Sequence, residues 1–231
     1  MKYEKIVEAI FIKRPNRFIS HCLVDGVEVM AHVKNTGRCQ ELLIEGVTVY
    51  LEHAPGPTRK TDYSLVAVRK GNRLINMDSQ APNKIAYEGL RSGAIVLPGL
   101  SGEITLIQQE FKYKQSRFDL YVETATDKLL IEVKGVTLEI DHVAMFPDAP
   151  TARGDKHVNA LACACVDGYL TYVIFIIQMA GVKSFVPNRD RDPTLAASLK
   201  KAKAVGVEIL AYDCHVKPDE ISVNAAVRVE L

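Results

Sequence analysis

The sequence predicts an α/β (α+β) protein in two parts: a small β-barrel of the OB type over residues 1–80, then a mixed sheet flanked by helices over residues 81–231. Three observations carry this. The front 80 residues read as short β-rich runs separated by turn signals, with one helical insertion between the third and fourth, the pattern of a small barrel. Beyond Pro82 the order becomes strands, then helix, strand, helix and strand, which implies a sheet with helices packed on it. Tyr169 to Ile177 is a near-continuous apolar run, the mark of a strand buried on both faces. A barrel of another topology fits the front pattern almost as well.

Taken in order, Ile6, Val7, Ile10 and Ile12 mark a first strand that stops at Lys13-Arg14-Pro15-Asn16. Phe18–Val24 and Val27–Val33 flank Asp25-Gly26, a strong two-residue hairpin signal. After Asn35-Thr36-Gly37 a short helical piece spans Gln40–Ile44, with Gly46 as its stop. Val47–Leu51 and Tyr63–Val68 are further strands, and Gly71-Asn72 turns the chain into Leu74–Met77. Ala81-Pro82-Asn83 is the boundary, followed by a helix over Asn83–Leu90 that ends near Gly93. Ile104–Phe111, Arg117–Glu123 and Lys128–Lys134 read as three successive strands, and Ala152–Val166 as a helix. Asp192-Pro193 opens a last helix with an N-cap carboxylate and proline at the first position; Gly206 closes it ahead of a strand over Val207–Tyr212.

Composition excludes several classes. The 231 residues are 48% hydrophobic and 25% charged, enough for a substantial core, and the formal net charge of +1 excludes a binder held by bulk charge alone. The apolar stretch Tyr169–Ala180 is interrupted by Thr171 and Gln178 and falls well short of the ~20 residues a membrane helix needs. The opening Met1-Lys2-Tyr3-Glu4-Lys5 lacks the apolar stretch of a signal peptide. Five cysteines, with no Cys-x-x-Cys pair, argue against a disulfide framework or a structural zinc site, so a cytoplasmic location is the default expectation.

The chemistry is concentrated in Ser116–Glu123 and Lys128–Gly135. Alternation places Phe118, Leu120 and Val122 on one face of the first run, with Arg117, Asp119 and Tyr121 on the other. In the second run Glu132 and Lys134 share a face. If residues 124–127 form a symmetric turn, Asp119 lies opposite Glu132, with Cβ atoms ~4.5–5.5 Å apart on one face. Two opposed carboxylates repel unless something offsets their charge, and a divalent cation does so: Mg²⁺ takes one or two carboxylates and fills its shell with water and phosphate oxygens. Lys134, two residues along, could orient or polarise an attacking water, the arrangement for metal-assisted attack on a phosphodiester. The plainer reading is a solvated strand whose Glu-x-Lys and Arg117–Asp119 pairs are surface ion pairs worth ~0–1 kcal/mol. A one-residue slip in register would turn Asp119 to the opposite face.

Further on, Pro147 and Pro150 lead into a helix whose first turns carry Arg153, Lys156 and His157 at i, i+3 and i+4. Cations are unfavourable at a helix N-terminus, so three of them there fit a bound anion such as phosphate; a solvated basic patch is the alternative.

These residues resemble a known family. Ser116-Arg117-Phe118-Asp119, Ile131-Glu132-Val133-Lys134-Gly135 and Phe146-Pro147-Asp148-Ala149-Pro150-Thr151-Ala152-Arg153-Gly154-Asp155-Lys156-His157 are similar to the sugar fermentation stimulation protein family (SfsA). Asn35-Thr36-Gly37, Thr61–Val66, Phe175–Gln178 and Asp192-Pro193 agree too, so the likeness spans nearly the whole chain. The resemblance implies an N-terminal OB-like nucleic-acid-binding barrel and a C-terminal PD-(D/E)xK nuclease-like domain. By position, Asp119 fills the first acid of that motif, Glu132 and Lys134 its (D/E)xK, and Phe118 stands where the motif has proline. It implies Mg²⁺ or Mn²⁺ on Asp119 and Glu132, a further acid from a helix before the sheet (Glu88, with Glu110 as second choice), and DNA as partner. On that reading Lys13, Arg14, Arg17, Phe18 and Tyr63 hold nucleic acid on the barrel, while Arg153, Lys156 and His157 clamp phosphate oxygens. The alternative is a catalytically silent, sequence-nonspecific DNA-binding regulator of sugar utilisation, since nuclease-like domains can keep the fold without the activity.

Overall fold

The computed structural model describes every residue except Thr36, Arg38 and Thr58. In the front part the strands are β1 (Ile6–Lys13), β2 (Ile19–Val24), β3 (Val27–Val33), β4 (Thr48–His53), β5 (Tyr63–Lys70) and β6 (Arg73–Asn76). Antiparallel pairing runs β3-β2-β1-β4-β5. Parallel pairing of Ala31, His32 and Val33 with Tyr63, Ser64 and Leu65 then closes the five strands into a barrel. Closure removes the sheet edges a small β domain would otherwise expose. Asp25 and Gly26 both have positive φ (49° and 80°), the type I′ geometry that matches strand twist, as the hairpin signal requires. Gln40–Ile44 is not a helix. Leu42 and Leu43 both donate to the Cys39 carbonyl (3.1 and 2.9 Å), giving a single turn, because five residues cannot offset the cost of helix nucleation.

The back part contains α1 (Ala81–Ser92), β7 (Leu106–Tyr113), β8 (Ser116–Glu123), β9 (Lys128–Val136), β10 (Leu138–Ile140), β11 (Val143–Phe146), α2 (Ala152–Val166), β12 (Leu170–Ile177), β13 (Ser184–Pro187), α3 (Pro193–Ala204), β14 (Glu208–Lys217), β15 (Glu220–Ala226) and β16 (Arg228–Val229). The main sheet has the order β15-β14-β12-β9-β8-β7, with β9, β12 and β14 parallel in the centre and antiparallel strands outside. α1 packs on one face; α2 and α3 cover the other. Seven of the eight residues of β12 are buried, as its unbroken apolar run demands. A small sheet of order β10-β11-β13-β16 stands apart. It was not foreseen from the sequence, since strands of two to four residues are too short to register an alternation. Among the described residues no helix is long and apolar enough to cross a membrane.

The helix ends are built by named groups. Gly93 (φ 76°) stops α1 in the left-handed region, and Thr151 Oγ1 accepts from the Gly154 N–H (3.0 Å) at the start of α2. Asp192 caps α3 by accepting from Leu195 N–H (2.9 Å) and with its other oxygen accepts from Thr151 N–H (2.9 Å). One carboxylate thereby ties the N-termini of α2 and α3 together. The two parts join along a buried polar seam. Gln178, just past β12, donates to Asn76 Oδ1 (2.8 Å) and to the Asp78 carbonyl (3.0 Å), and buried Asp78 accepts from Lys34 Nζ (2.9 Å).

Candidate active site

The turn at 124–127 is closed by Thr124 N–H donating to the Asp127 carbonyl (3.0 Å), with Thr124 Oγ1 accepting from Asp127 N–H (2.9 Å). Across it Glu123 faces Lys128, Val122 faces Leu129, Tyr121 faces Leu130 and Leu120 faces Ile131, the register of a symmetric turn. The next step in that register is Asp119 with Glu132. There the ladder gives way to a side chain: Asp119 Oδ2 accepts from Val133 N–H (2.7 Å), and Oδ1 accepts from Asn83 Nδ2 (2.8 Å) of α1.

The expected alternation along β8 slips at this residue. Leu120 and Val122 pack on the α1 side, whereas Phe118 packs on the α2 side against Tyr113 and His157. Phe118 therefore does not share a face with Leu120 and Val122. The cause lies across the strand, where Glu110 of β7 stands opposite Asp119 with φ 58° and breaks the regular pairing between Gln109–Leu120 and Phe111–Phe118. Asp119 sits at that irregularity, held from the α1 side.

Glu132 is almost fully buried (2% exposed) and faces α2. Its Oε1 is bound by His157 Nδ1 (2.6 Å) and by Lys134 Nζ. Its Oε2 is buried and has no hydrogen-bond partner among the described residues. The two acids respond oppositely to this setting. Burial, and then the Glu132 charge, push Asp119 above the usual carboxylate range against the pull of Val133 N–H, Lys134 and Asn83. Burial also acts to raise Glu132, but the His157 hydrogen bond and the Lys134 charge outweigh it and hold that carboxyl below its ordinary value. Asp119, Glu132 and Lys134 are thus one electrostatic cluster, assembled at the place where β8 and β9 part.

The donor set fits a hard divalent cation of the Mg²⁺ or Mn²⁺ kind. It offers two carboxylates, one of them with an orphaned buried oxygen, next to a lysine. Among the described residues no group of three or more His, Cys, Asp or Glu side chains is placed to hold a metal, so water and substrate oxygens would complete the shell. Glu88 does not join the pair: its carboxylate binds the Met1 amino group (2.7 Å), which also donates to the Ile221 carbonyl at β15, three strands away from β9. Glu110 is opposite Asp119 in register, but its exposed carboxylate lies on Arg117 (3.3 Å). What α1 delivers to the site is Asn83, five residues before Glu88. Its place directly after Pro82 in the first helical turn is the signal the sequence carries for it.

His157 is also not where the basic cluster suggested. It is buried (7% exposed) against Glu132, while Arg153 and Lys156 remain exposed on α2. On the barrel, Lys13, Arg17 and Phe18 are exposed, with Phe18 55% accessible. Arg14 turns inward, donating to the carbonyls of Gly37 (2.8 Å), Asn35 (2.7 Å) and Arg17 (2.7 Å), so it braces two loops. Lys13, Arg14 and Arg17 line a hollow of about 560 Å³. Phe18, Lys34, Arg59 and Lys60 line another of about 440 Å³. Tyr63 is half-buried and tilted against His53 (4.9 Å between ring centroids).

Comparison with known proteins agrees along the chain. Residues 12–77 match the model of the SfsA N-terminal OB domain, and residues 80–220 match that of the sugar fermentation stimulation protein RE domain. A sugar fermentation stimulation protein homolog of Ruminiclostridium cellulolyticum is 51% identical over 231 residues, covering all of both chains. One from Desulfitobacterium hafniense is also 51% identical, covering 100% of this chain and 99% of its own. Among solved structures, that of Pyrococcus furiosus SfsA in complex with Ca²⁺ superposes with a TM-score of 0.89 at 29% identity, covering 100% of this chain and 98% of that one. With both parts matched in order and relatives at half identity from end to end, the chain belongs to the sugar fermentation stimulation protein family.

Proposed function

We propose that this protein is a DNA-binding, divalent-metal-dependent phosphodiesterase of the PD-(D/E)xK nuclease type, with Asp119 and Glu132 as metal ligands and Lys134 as the cationic catalytic residue. The observation that carries the reading is Glu132: a nearly inaccessible carboxylate whose Oε2 has no partner while Oε1 is held by two donors. A buried acceptor left unmade costs about 1–3 kcal/mol, which a bound cation would relieve. That the solved Pyrococcus furiosus relative is a complex with Ca²⁺ supports a hard-cation site in this chain as well.

A bound divalent ion supplies charge neutralisation and Lewis acidity toward a phosphodiester oxygen. The chain's own residues do the rest. Asn83 and the Val133 N–H fix both oxygens of Asp119, and His157 fixes Glu132, so neither carboxylate must be ordered when substrate arrives. Lys134, partly exposed on the same face of β9 as Glu132, places positive charge where phosphate oxygens gain negative charge and can hold a water through its N–H groups. Arg153 and Lys156 on the exposed side of α2 supply cations for flanking phosphates, and Lys13, Arg17 and Phe18 on the barrel supply charge and a stacking surface.

The second reading, a silent DNA-binding regulator, draws on the two-carboxylate donor set and on the Lys134–Glu132 ion pair, which already neutralises one acid. One experiment separates them. Mn²⁺ is titrated calorimetrically into the wild type and Asp119→Ala, and both are assayed on mixed DNA and RNA substrates. The enzyme reading expects metal-dependent cleavage that Asp119→Ala abolishes, with Mn²⁺ affinity lost and DNA affinity equal or higher because a negative charge is gone. Cleavage unchanged in the variant rejects the site; Mn²⁺ and DNA binding without cleavage establishes the silent reading.

A further inference from the structure

A cavity of about 750 Å³ lies away from the acid pair, where the β5–β6 hairpin of the barrel meets the β10–β11 turn and the C-terminal end of β14. Arg69, Lys70, Arg73 and Lys217 reach its lining, against the single carboxylate of Glu139. That carboxylate is saturated: it takes Lys70 (3.1 Å), Arg73 (2.9 Å) and the His142 N–H (2.6 Å). Charge from Arg69, Lys217 and the Lys70–Arg73 pair is therefore left in excess at the rim. Among the described residues Lys217 has only a long contact to Glu220 (3.5 Å), and Arg69 is exposed, bound to the Tyr50 hydroxyl (2.7 Å) and to no carboxylate.

The wall is also held in place at a conformational cost. Asp141 and His142, the two residues between β10 and β11, both have positive φ (51° and 67°), a geometry that Asn-Gly adopts with less strain. The turn sets the His142 imidazole 2.9 Å from Arg73 Nη2, and Arg73 also donates to the Gly181 carbonyl (3.2 Å). The lining also includes the apolar side chains of Leu74, Ala180, Val216 and Pro218.

We infer that this junction cleft is a binding site for a small organic phosphate, with the phosphate held by Arg69, Lys70, Arg73 and Lys217 and the apolar or aromatic body against Leu74, Val216 and Pro218. The volume is that of a small-ligand pocket. A nucleic-acid strand is disfavoured as occupant because the cations are gathered around one pocket, with an acid and apolar side chains in its lining, and not spaced along a track. The site is independent of the proposed metal chemistry, since no lining residue is a ligand or neighbour of the acid pair. Because both parts of the chain line it, an occupant would also tie the barrel to the sheet.

The test uses the full chain in EDTA, so that the metal site plays no part. AMP, adenosine, inorganic phosphate and a short single-stranded DNA are each titrated calorimetrically into the wild type and into the double variant Arg69→Glu/Lys217→Glu. Both substituted positions are exposed, and the melting temperature of the variant reports its folding. AMP is expected to bind one to one and more tightly than either adenosine or phosphate. The double variant should weaken AMP by at least about tenfold, because like charge facing a phosphate costs several kcal/mol. Absence of AMP binding, or AMP binding unaltered in the variant, overturns the site. Phosphate binding as tight as AMP overturns the organic class, and DNA affinity lost in the variant while AMP is unaffected means the surface belongs to nucleic acid. Mn²⁺-dependent cleavage by the double variant should be unchanged, so failure here and failure of the nuclease reading are read separately.

Discussion

At the scale of single residues, the two carboxylates of the acid pair have different environments. Glu132 is clamped and held ionised, while Asp119 is pushed toward its neutral form by burial and by Glu132 itself, a pairing that a cation would relax. His157 contributes through its buried contact with Glu132 Oε1 (2.6 Å). We expect His157→Ala to weaken Mn²⁺ binding and cleavage together by about 10–100-fold, the usual effect of removing a group that orients a ligand. A loss of DNA affinity with metal binding intact would instead return His157 to the phosphate clamp suggested by the sequence. The acid-x-lysine spacing of Glu132 and Lys134 was legible; the identity of the group holding Glu132 was not, because His157 lies 25 residues on and only packing of α2 onto β9 brings it there.

Glu139 gives a pH prediction at the same scale. Burial acts to raise its pKa, but the His142 N–H, Arg73 and Lys70 outweigh burial and bring it down to about 2. A carboxyl with a depressed folded-state pKa stabilises the protein above its unfolded value and loses that contribution as pH falls through the folded one. Glu139→Gln should therefore destabilise the protein at neutral pH by about 1.5–3 kcal/mol, the worth of hydrogen bonds to a charged group. The difference in melting temperature from the wild type should shrink between pH 4.5 and 2. A difference independent of pH would mean that packing, not charge, accounts for the loss.

At the scale of elements, the approach of α1 to β9 decides whether Asn83 can reach Asp119. Gly135 lies under the start of that helix, where an added Cβ would come within 2.6 Å of both Pro82 Cγ and Gln178 Oε1. Gln178 cannot move aside without breaking its buried bonds to Asn76 and Asp78. Gly135→Ala should cost about 1–3 kcal/mol in stability by overpacking, measured by denaturant unfolding, and should reduce metal-dependent cleavage by lifting α1 from the site. A stable variant with full activity would show that α1 does not position Asp119. The long elements, α2 and β12 above all, were readable because caps and apolar runs are local signals. The single turn at Cys39–Leu43, the small sheet and the slip at Asp119 were not, since each depends on what lies across from it.

At the scale of the whole molecule, a formal net charge of +1 gives no general attraction for nucleic acid, so any binding must come from local clusters. DNA affinity should fall steeply with salt and vary little with sequence, and Lys13→Ala and Arg17→Ala should each reduce the slope of log affinity against log salt by about 1. Slopes unaltered by both changes would remove the barrel from the interface.

By itself the sequence determined the two-part plan, the main strands and helices, the symmetric turn between β8 and β9 and the family, because these follow from periodicity, turn chemistry and the order of motifs along the chain. Only the tertiary structure decided that Glu88 binds Met1 while Asn83 serves Asp119, that His157 holds Glu132 and leaves an oxygen unpaired, and that a basic cleft forms where barrel meets sheet. The reason is that side-chain partners at these points are separated by 25 to 87 residues in the chain. Which of several chemically suitable groups arrives is settled by how helices pack on the sheet, and local pattern carries no record of that.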